Sequence, residues 1–275
     1  MPGVRLLVLG SLVQGGLVIS AGAAGAQAPL APAAATGQTA TPAFEGWYKN
    51  PDGTYSLSFG YYNRNTSEVL SIPIGPDNFV SPGDANQGQP SYLYPRRNWG
   101  VFAVKVPADF GDKNKVVWTV KIRGQTFSVP GSLREEWQID ALEGEAGSNN
   151  TPPVLSFDPD GPKGSGPAGV TVERIASVGK PLTITVIAKD DGVGLTRGGY
   201  PVTLTWFTHQ GPAPVTFSPP TSRLTPTGGT ATTTATFGKP GDYILRVRAN
   251  DSDVVAAGHS QCCWTNGFVK VRVAP

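Results

Sequence analysis

The residues best suited to chemistry in this chain are acidic side chains that flank predicted β-strands. Six of them precede or end three such strands: Asp158, Asp160, Asp190, Asp191, Asp251 and Asp253. Clustered carboxylates repel one another unless a hard cation neutralises them, and Ca²⁺ takes roughly 6–8 oxygen ligands. If the three loops meet at one pole of a domain, these residues are candidate calcium ligands. The alternative is that aspartate serves here only as a turn-forming residue.

A second candidate site lies near a long loop, residues 75–97, which is rich in Gly, Pro, Asn and Asp. Loops of this length are uncommon in compact domains unless they are functional or disordered. Aromatic rings beside polar loops can stack sugars or peptides, which predicts a ligand-binding surface. Its candidate residues are Tyr62, Tyr92, Tyr94, Arg96, Arg97 and Trp99. Alternatively, the rings fill the core of a small β-domain, where aromatic residues are common in strands.

The two cysteines, Cys262 and Cys263, are adjacent in the sequence. Free thiols in an oxidising compartment tend to oxidise, which predicts a vicinal disulfide that stiffens its loop. Two alternatives remain open. His259 and both thiolates could hold a soft or borderline metal, although adjacent cysteines suit tetrahedral ligation poorly. The thiols could also be free or pair between chains.

Signatures of enzyme classes are scarce. The sequence has no Gly-x-Ser-x-Gly, no His-Glu-x-x-His and no phosphate-binding glycine loop. Its two histidines are His209 and His259, so a Ser/His/Asp site would have to recruit one of them. The pattern favours a non-catalytic protein. The alternative is a small hydrolase or accessory subunit acting on envelope polysaccharide, which would place two carboxylates in a cleft lined by exposed aromatic rings.

The N-terminus and the composition indicate an exported protein. A single positive charge, an apolar run and Ala26-Gln27-Ala28 predict a signal peptide over residues 1–28 that is cleaved after Ala28. No later stretch has the ~20 apolar residues needed to span a bilayer. The formal net charge of +2 over 275 residues gives no electrostatic case for nucleic acid as a partner. We therefore expect a periplasmic or extracellular protein with a glycan or an envelope protein as partner.

Turn and strand patterns predict an all-β chain with two β-sandwich domains in tandem. Residues 29–43 form an uncharged Ala/Pro-rich leader that is expected to be disordered. Residues 44–142 contain five or more short strands and a hairpin at Asn50–Gly53, with a short helix expected over residues 133–142. Residues 143–153 are a polar linker, and residues 154–275 form the second domain.

The second domain is predicted to contain a series of seven strands. They lie within residues 154–174 and at 182–189, 202–208, 215–217, 230–237, 242–250 and 268–273. In the sixth, apolar residues alternate with Arg246 and Arg248, which predicts a strand with one buried and one solvent-facing side. Trp206 holds the place of the core tryptophan of immunoglobulin-like domains, and Gly241-x-Tyr243 predicts a tyrosine corner.

Several segments follow one another in the second domain: NTPPVLSF, GKPLTITVIAKDDG, VTLTWF, GPAPVTFSPP and TATTTATFGKPGDYILRVRANDS. In this order they resemble the PKD and cadherin-like repeats of bacterial cell-surface proteins, over roughly residues 150–275. The resemblance implies an immunoglobulin-like sandwich and calcium at a domain junction, although the full ligand pattern of those repeats is missing. In the first domain, EGWYKNPDGTYSLSFGYYNRN resembles a module of uncharacterised exported bacterial proteins, which implies no activity. We therefore expect a non-catalytic binding or structural module at the bacterial cell envelope.

Overall fold

The computed structural model describes residues 32–139, 149–194, 199–252 and 263–275. The predicted signal peptide lies outside these residues. Residues 33–275 form one compact unit, and this unit contains two separate hydrophobic cores. We call residues 33–139 the N-terminal lobe and residues 149–275 the C-terminal lobe. The chain is all-β, as predicted, and no helix within the described residues is long and apolar enough to cross a membrane.

The N-terminal lobe is built from short antiparallel strands around an aromatic core. Its strands are β1 (Ala40–Lys49), β2 (Tyr55–Asn63), β3 (Leu70–Ser71), β4 (Asn78–Ser81), β5 (Tyr92–Leu93), β6 (Arg96–Val106), β7 (Val116–Ile122) and β8 (Gln125–Gly131). They form sheets β1-β2-β6 and β4-β7-β8 and the pair β3-β5. The predicted hairpin is confirmed, since the Gly53 amide donates to the Asn50 carbonyl at 3.0 Å between β1 and β2. In place of the expected helix there is a 3-10 turn at Glu135–Trp137.

The ordered chain begins earlier than the leader prediction allows. Strand β1 starts at Ala40, which pairs with Asn63. Before it, the Ala35 carbonyl accepts hydrogen bonds of 3.1 Å from the amides of Ser67 and Glu68. The composition argument considered only apolar burial, whereas main-chain pairing orders this segment without any large side chain.

The C-terminal lobe consists of two five-stranded sheets that face each other. Its strands are β9 (Val154–Ser156), β10 (Lys163–Gly164), β11 (Val170–Ser177), β12 (Leu182–Lys189), β13 (Thr203–Gln210), β14 (Val215–Ser218), β15 (Thr221–Arg223), β16 (Gly228–Phe237), β17 (Gly241–Asn250) and β18 (Trp264–Ala274). The sheet orders are β10-β9-β12-β16-β14 and β11-β18-β17-β13-β15. The first predicted strand is split, because β9 pairs with β12 in one sheet and β11 runs parallel to β18 in the other. This is the immunoglobulin-like arrangement that the sequence predicts.

Two core predictions for this lobe are confirmed. Trp206 is buried between the sheets, where its ring stacks on Phe217 with centroids 5.6 Å apart. Tyr243 is 2% exposed, and its hydroxyl donates to the Lys239 carbonyl at 2.8 Å. That bond closes the tyrosine corner at the start of β17.

The outer side of β17 departs from the prediction. Arg246 and Arg248 are only 1% and 7% exposed, so the expectation of a solvent-facing side is wrong. The N-terminal lobe covers them: its residues 86–100 lie against β13, β17 and β18. We call this contact the lobe interface. An alternating pattern shows that the two sides of a strand differ in polarity, but polar residues can also be buried when another surface covers them.

Candidate functional site at the lobe interface and the acidic pole

The long loop of the N-terminal lobe is fixed to the end of β13. The Ser91 amide donates to the His209 carbonyl at 2.8 Å, in the manner of strand pairing. Beside it, Gln210 Nε2 donates to the Gln89 carbonyl at 2.6 Å and to Asn86 Oδ1 at 3.0 Å. Strand β13 contains a bulge between Thr208 and Gln210. A bulge interrupts the pairing with β17, so the His209 carbonyl can accept the Ser91 amide of the loop instead. The loop is therefore part of the lobe interface.

His209 lies in the interface and is only 2% exposed. Its ring Nε2 lies 2.7 Å from the Gly88 carbonyl, and since a carbonyl only accepts, Nε2 carries the proton. Burial, and then the charge of Arg246, lower the pKa of His209 to about 3. The imidazole thus stays neutral at physiological pH, packed edge-on against Phe268 at 5.3 Å. The bond to Gly88 joins the two lobes, and the ring also lines a small groove of about 220 Å³.

Two tyrosines of the N-terminal lobe bond to each other and to β13. The Tyr61 hydroxyl accepts the amide of Tyr94 at 2.7 Å, and the Tyr94 hydroxyl accepts the amide of Thr208 at 3.0 Å. The Tyr94 ring packs edge-on against Phe207 at 5.1 Å. Burial raises the pKa of Tyr61, so its hydroxyl stays protonated. These two hydrogen bonds connect the aromatic core of the N-terminal lobe to the backbone of the C-terminal lobe.

The two buried arginines of β17 lie under this tyrosine layer. The Arg246 guanidinium is centred 4.4 Å from the Phe207 ring, and that of Arg248 is 5.5 Å away. Arg246 Nη1 donates to Asn266 Oδ1 at 3.3 Å. Burial lowers the pKa of Arg246 to about 10, and burial together with Arg246 lowers that of Arg248 to about 9. Both side chains remain charged at neutral pH.

The structure distributes the six residues predicted to bind a ligand between two settings. Tyr92 and Tyr94 belong to the lobe interface, and the Tyr92 hydroxyl donates to the Gly211 carbonyl at 3.2 Å. The remaining residues form two cation–π pairs: Arg96 lies over Tyr62 at 5.2 Å, and Arg97 over Trp99 at 3.7 Å. Ligand binding by these residues stays a prediction.

Glu45 is a functional candidate that the sequence analysis missed. It lies in β1 between Phe44 and Gly46, where the register shifts, and its carboxylate meets Arg97 Nη2 at 2.7 Å. A Cβ on Gly60 would lie 2.2 Å from its Oε1, so only glycine fits beneath it. Burial raises the pKa of Glu45 to about 7 against the lowering effect of Arg97. The sequence does contain a sign of this site, because Glu45 is the single acidic residue of the aromatic-rich strand β1.

At the pole where β12 and β17 end, two carboxyl groups lie together. Asp251 is fully buried and Asp190 is half-buried. The side chains of Asp190 and Asn150 hydrogen-bond to Asp251, and Asp190 Oδ2 accepts the Gly192 amide at 2.9 Å. Burial and the neighbouring carboxylate raise the pKa of Asp251 to about 8, and burial raises that of Asp190 to about 6. A hydrogen bond between the two groups requires that one carries a proton. This pair is the acidic pole.

The other predicted calcium ligands are engaged elsewhere or not described. Asp191 Oδ2 accepts the amide and hydroxyl of Thr151 at 3.0 and 2.6 Å. Asp158 pairs with Arg174 at 3.0 Å, and Asp160 is exposed. Asp253 lies outside the described residues. Within the part of the chain that the structure describes, no three His, Cys, Asp or Glu side chains converge on one point. Of the five candidate aspartates that the structure describes, Asp190 and Asp251 hydrogen-bond to each other.

Cys263 lies beside the acidic pole, because its carbonyl accepts the Asp251 amide at 3.1 Å. It is buried and disulfide-bonded. Cys262 and His259 lie outside the described residues, so the vicinal bridge and the metal alternative stay predictions. The next residue, Trp264, is buried against Gly100 of β6: a Cβ added there would lie 2.0 Å from the indole ring. The acidic pole thus borders the lobe interface.

A groove of about 600 Å³ lies on the outer side of the β11-β18-β17 sheet below the interface. It includes Ile175, which is 79% exposed, and the carboxylates of Glu173 and Asp242. Asp242 pairs with Arg272 at 3.4 Å. None of the six residues predicted to bind a ligand lines this groove.

No protein-family model matches the chain, and a search of curated proteins found no match. Among solved structures, the chain is similar to domains 4 and 5 of the S-layer protein SbsC, with 12% identity, a TM-score of 0.27, and coverage of 78% of this chain and 90% of that one. It is also similar to the D00-D0 domain of Intimin, with 12% identity, a TM-score of 0.26, and coverage of 85% and 99%. The chain is similar as well to the D0-D1 domain of Intimin, with 16% identity, a TM-score of 0.25, and coverage of 85% of this chain and 97% of that one. At these TM-scores the likeness carries no argument, and the fold assignment rests on the strand order above.

Proposed function

We propose that the protein is a non-catalytic, exported structural or binding module of the bacterial cell envelope, in which the two lobes act as one unit. The lobe interface is the observation that carries this proposal. Neighbouring domains usually move relative to each other unless a substantial interface joins them. Here a backbone hydrogen bond from Ser91 and side-chain bonds from Tyr94 and Gln210 cross between the lobes. A fixed pair of β-domains suits a spacer or a display element.

The state of the titratable groups supports a non-catalytic role. His209 is neutral and only 2% exposed, and neither Asp190 nor Asp251 lines the groove on the β11-β18-β17 sheet. General acid–base catalysis needs a titratable group within reach of substrate. The Asp190–Asp251 pair would then act in folding stability and ion binding.

The acidic pole is proposed to bind Ca²⁺. The residues fit a hard cation in part: the carboxyl groups of Asp190 and Asp251 lie together, and oxygen is the ligand that Ca²⁺ prefers. Their mutual repulsion would be removed when the ion binds. Two carboxylates are fewer than a complete site needs, so backbone carbonyls and water would supply the other ligands.

The proposed unity of the lobes is tested by calorimetry of the mature protein. One transition, with equal calorimetric and van't Hoff enthalpies, is expected for the wild type. The variant His209→Ala removes the bond to Gly88 and should separate the transition into two, whereas the exposed Thr216→Ala should not. Two transitions in the wild type would contradict the proposal. Turnover of peptidoglycan or of an envelope glycan in a release assay would contradict the non-catalytic role.

Calcium binding is tested by thermal unfolding in millimolar Ca²⁺ and in chelator. A cation that binds only the folded state adds about 2.7 kcal/mol at a hundredfold excess over Kd. The melting temperature of the wild type should rise with Ca²⁺, and the double variant Asp190→Ala/Asp251→Ala should lose that rise. The matched control Asp158→Ala/Asp160→Ala should keep it. A wild type that does not respond to Ca²⁺ would leave these aspartates as turn and structural residues.

A further inference from the structure

Arg246 and Arg248 bring two positive charges into the lobe interface. Arg246 and Arg248 are both more than nine-tenths buried, and neither forms an ion pair within the described chain. Three of their N–H groups have no acceptor there: Nε of Arg246, and Nε and Nη1 of Arg248. Buried arginines normally pair with a carboxylate or phosphate, because removing a charge from water costs several kcal/mol.

The groups that surround the two arginines do not balance them. The Tyr61 hydroxyl interacts electrostatically with both arginines and stays protonated, so it brings no charge. His209 is neutral, and Asn266 offers one carbonyl oxygen to Arg246. The π-face of the Phe207 ring attracts both guanidinium groups. The ring carries no negative charge and has no oxygen or nitrogen that could accept their N–H groups. The positive charges and several N–H donors of Arg246 and Arg248 are therefore not balanced by the described residues around them.

We propose that Arg246 and Arg248 together bind a small oxyanion, of the phosphate or sulfate class, between the two lobes. The two residues are alternate positions of β17 and share one side of the strand, about 7 Å apart along it. Guanidinium groups bind oxyanions through pairs of parallel N–H donors. Arg248 is the less buried of the two, with 7% of its surface exposed against 1% for Arg246. The bound ion would neutralise the interface and join both arginines to the covering lobe.

The test compares the mature wild type with Arg248→Met and with a control, Arg272→Met. Arg272 lies on the same side of the same sheet, but its side chain is 82% exposed and outside the interface. Calorimetric titration with inorganic phosphate should give binding for the wild type and the control, weakened at least tenfold in Arg248→Met. Melting temperatures are measured in phosphate against chloride at equal ionic strength, because phosphate stabilises most proteins by exclusion from their surface. Only the difference between Arg248→Met and Arg272→Met reports the site.

A second variant, Arg248→Lys, keeps the charge and loses the paired donors, so it covers the case in which Arg248→Met does not fold. It should fold and bind phosphate more weakly than the wild type. Equal phosphate binding in wild type and Arg248→Lys, or none in wild type, would overturn the proposal. Glucose 6-phosphate distinguishes a free ion from the phosphate of a larger molecule: competition with inorganic phosphate indicates that the site also admits a phosphomonoester. The single calorimetric transition expected for the two lobes is measured without anion. The proposed function can therefore fail while anion binding succeeds, and the reverse.

Discussion

The two sides of strand β17 are equally buried but chemically opposite. On one side, Leu245 and Val247 lie in the apolar core of the C-terminal lobe, both fully buried. On the other, Arg246 and Arg248 lie in the lobe interface, and some of their N–H donors have no acceptor among the residues that the structure describes. Apolar packing is non-directional and is complete once water is excluded. A polar interface is complete only when each donor and charge has a partner. The core therefore needs no further partner, whereas the interface holds donors without acceptors among the described residues.

The largest predicted effect tests the core side. Trp206→Ala should lower the free energy of unfolding by about 3–5 kcal/mol, because it leaves a large cavity between the two sheets. Urea unfolding of the mature protein measures this loss. The control Ile175→Ala, at a 79% exposed position, should change stability by less than about 0.5 kcal/mol. A small loss for Trp206→Ala would mean that the sheets do not depend on it.

The next effect tests packing on the interface side. Gly100→Ala should cost about 1–3 kcal/mol, since the new Cβ would clash with the Trp264 ring at 2.0 Å. Gly100 also has a positive φ of 45°, so the control must carry the same backbone penalty. Gly124→Ala does so, with φ of 75° and nothing within 4 Å of the added atom. The difference between the two variants isolates the clash, and equal losses would contradict a tight interface.

A smaller effect compares hydrogen bonds on the two sides. Tyr94→Phe leaves the buried Thr208 amide without its acceptor and should cost about 1–3 kcal/mol. Tyr243→Phe removes a donor from the Lys239 carbonyl at an exposed turn and should cost about 0.5–1.5 kcal/mol. Both are measured by urea unfolding. A greater loss for Tyr243→Phe would show that the interface contributes less than its burial suggests.

The last effect is a pH dependence near the interface. The pKa of Glu45 is raised from 4.5 to about 7 in the folded state by burial, so the folded protein holds this proton more tightly than the unfolded chain. Its contribution to stability is present below pH 4.5 and is lost as the pH rises towards 7. The wild type should therefore lose roughly 3 kcal/mol relative to Glu45→Gln over this range. Identical pH profiles would contradict a buried, partly protonated Glu45.

Local sequence patterns determined much of the architecture. Alternation of apolar residues placed β12 and β17, the turn residues at Asn50–Gly53 placed the first hairpin, and Gly241-x-Tyr243 placed the tyrosine corner. Each of these depends on residues close in sequence or on burial of one strand face. Such features follow from backbone geometry and the hydrophobic effect, which act wherever the strand lies.

Only the tertiary structure decided which polar residues meet. The bond from Asn266 to the Gly100 carbonyl, the burial of Arg246, and the pairing of Asp251 with Asp190 instead of Asp158 all join distant parts of the chain. Sequence shows that a residue can ionise or donate a hydrogen bond. Its pKa and its role depend on the groups that the fold places within a few ångströms, because desolvation and Coulomb interactions act through space.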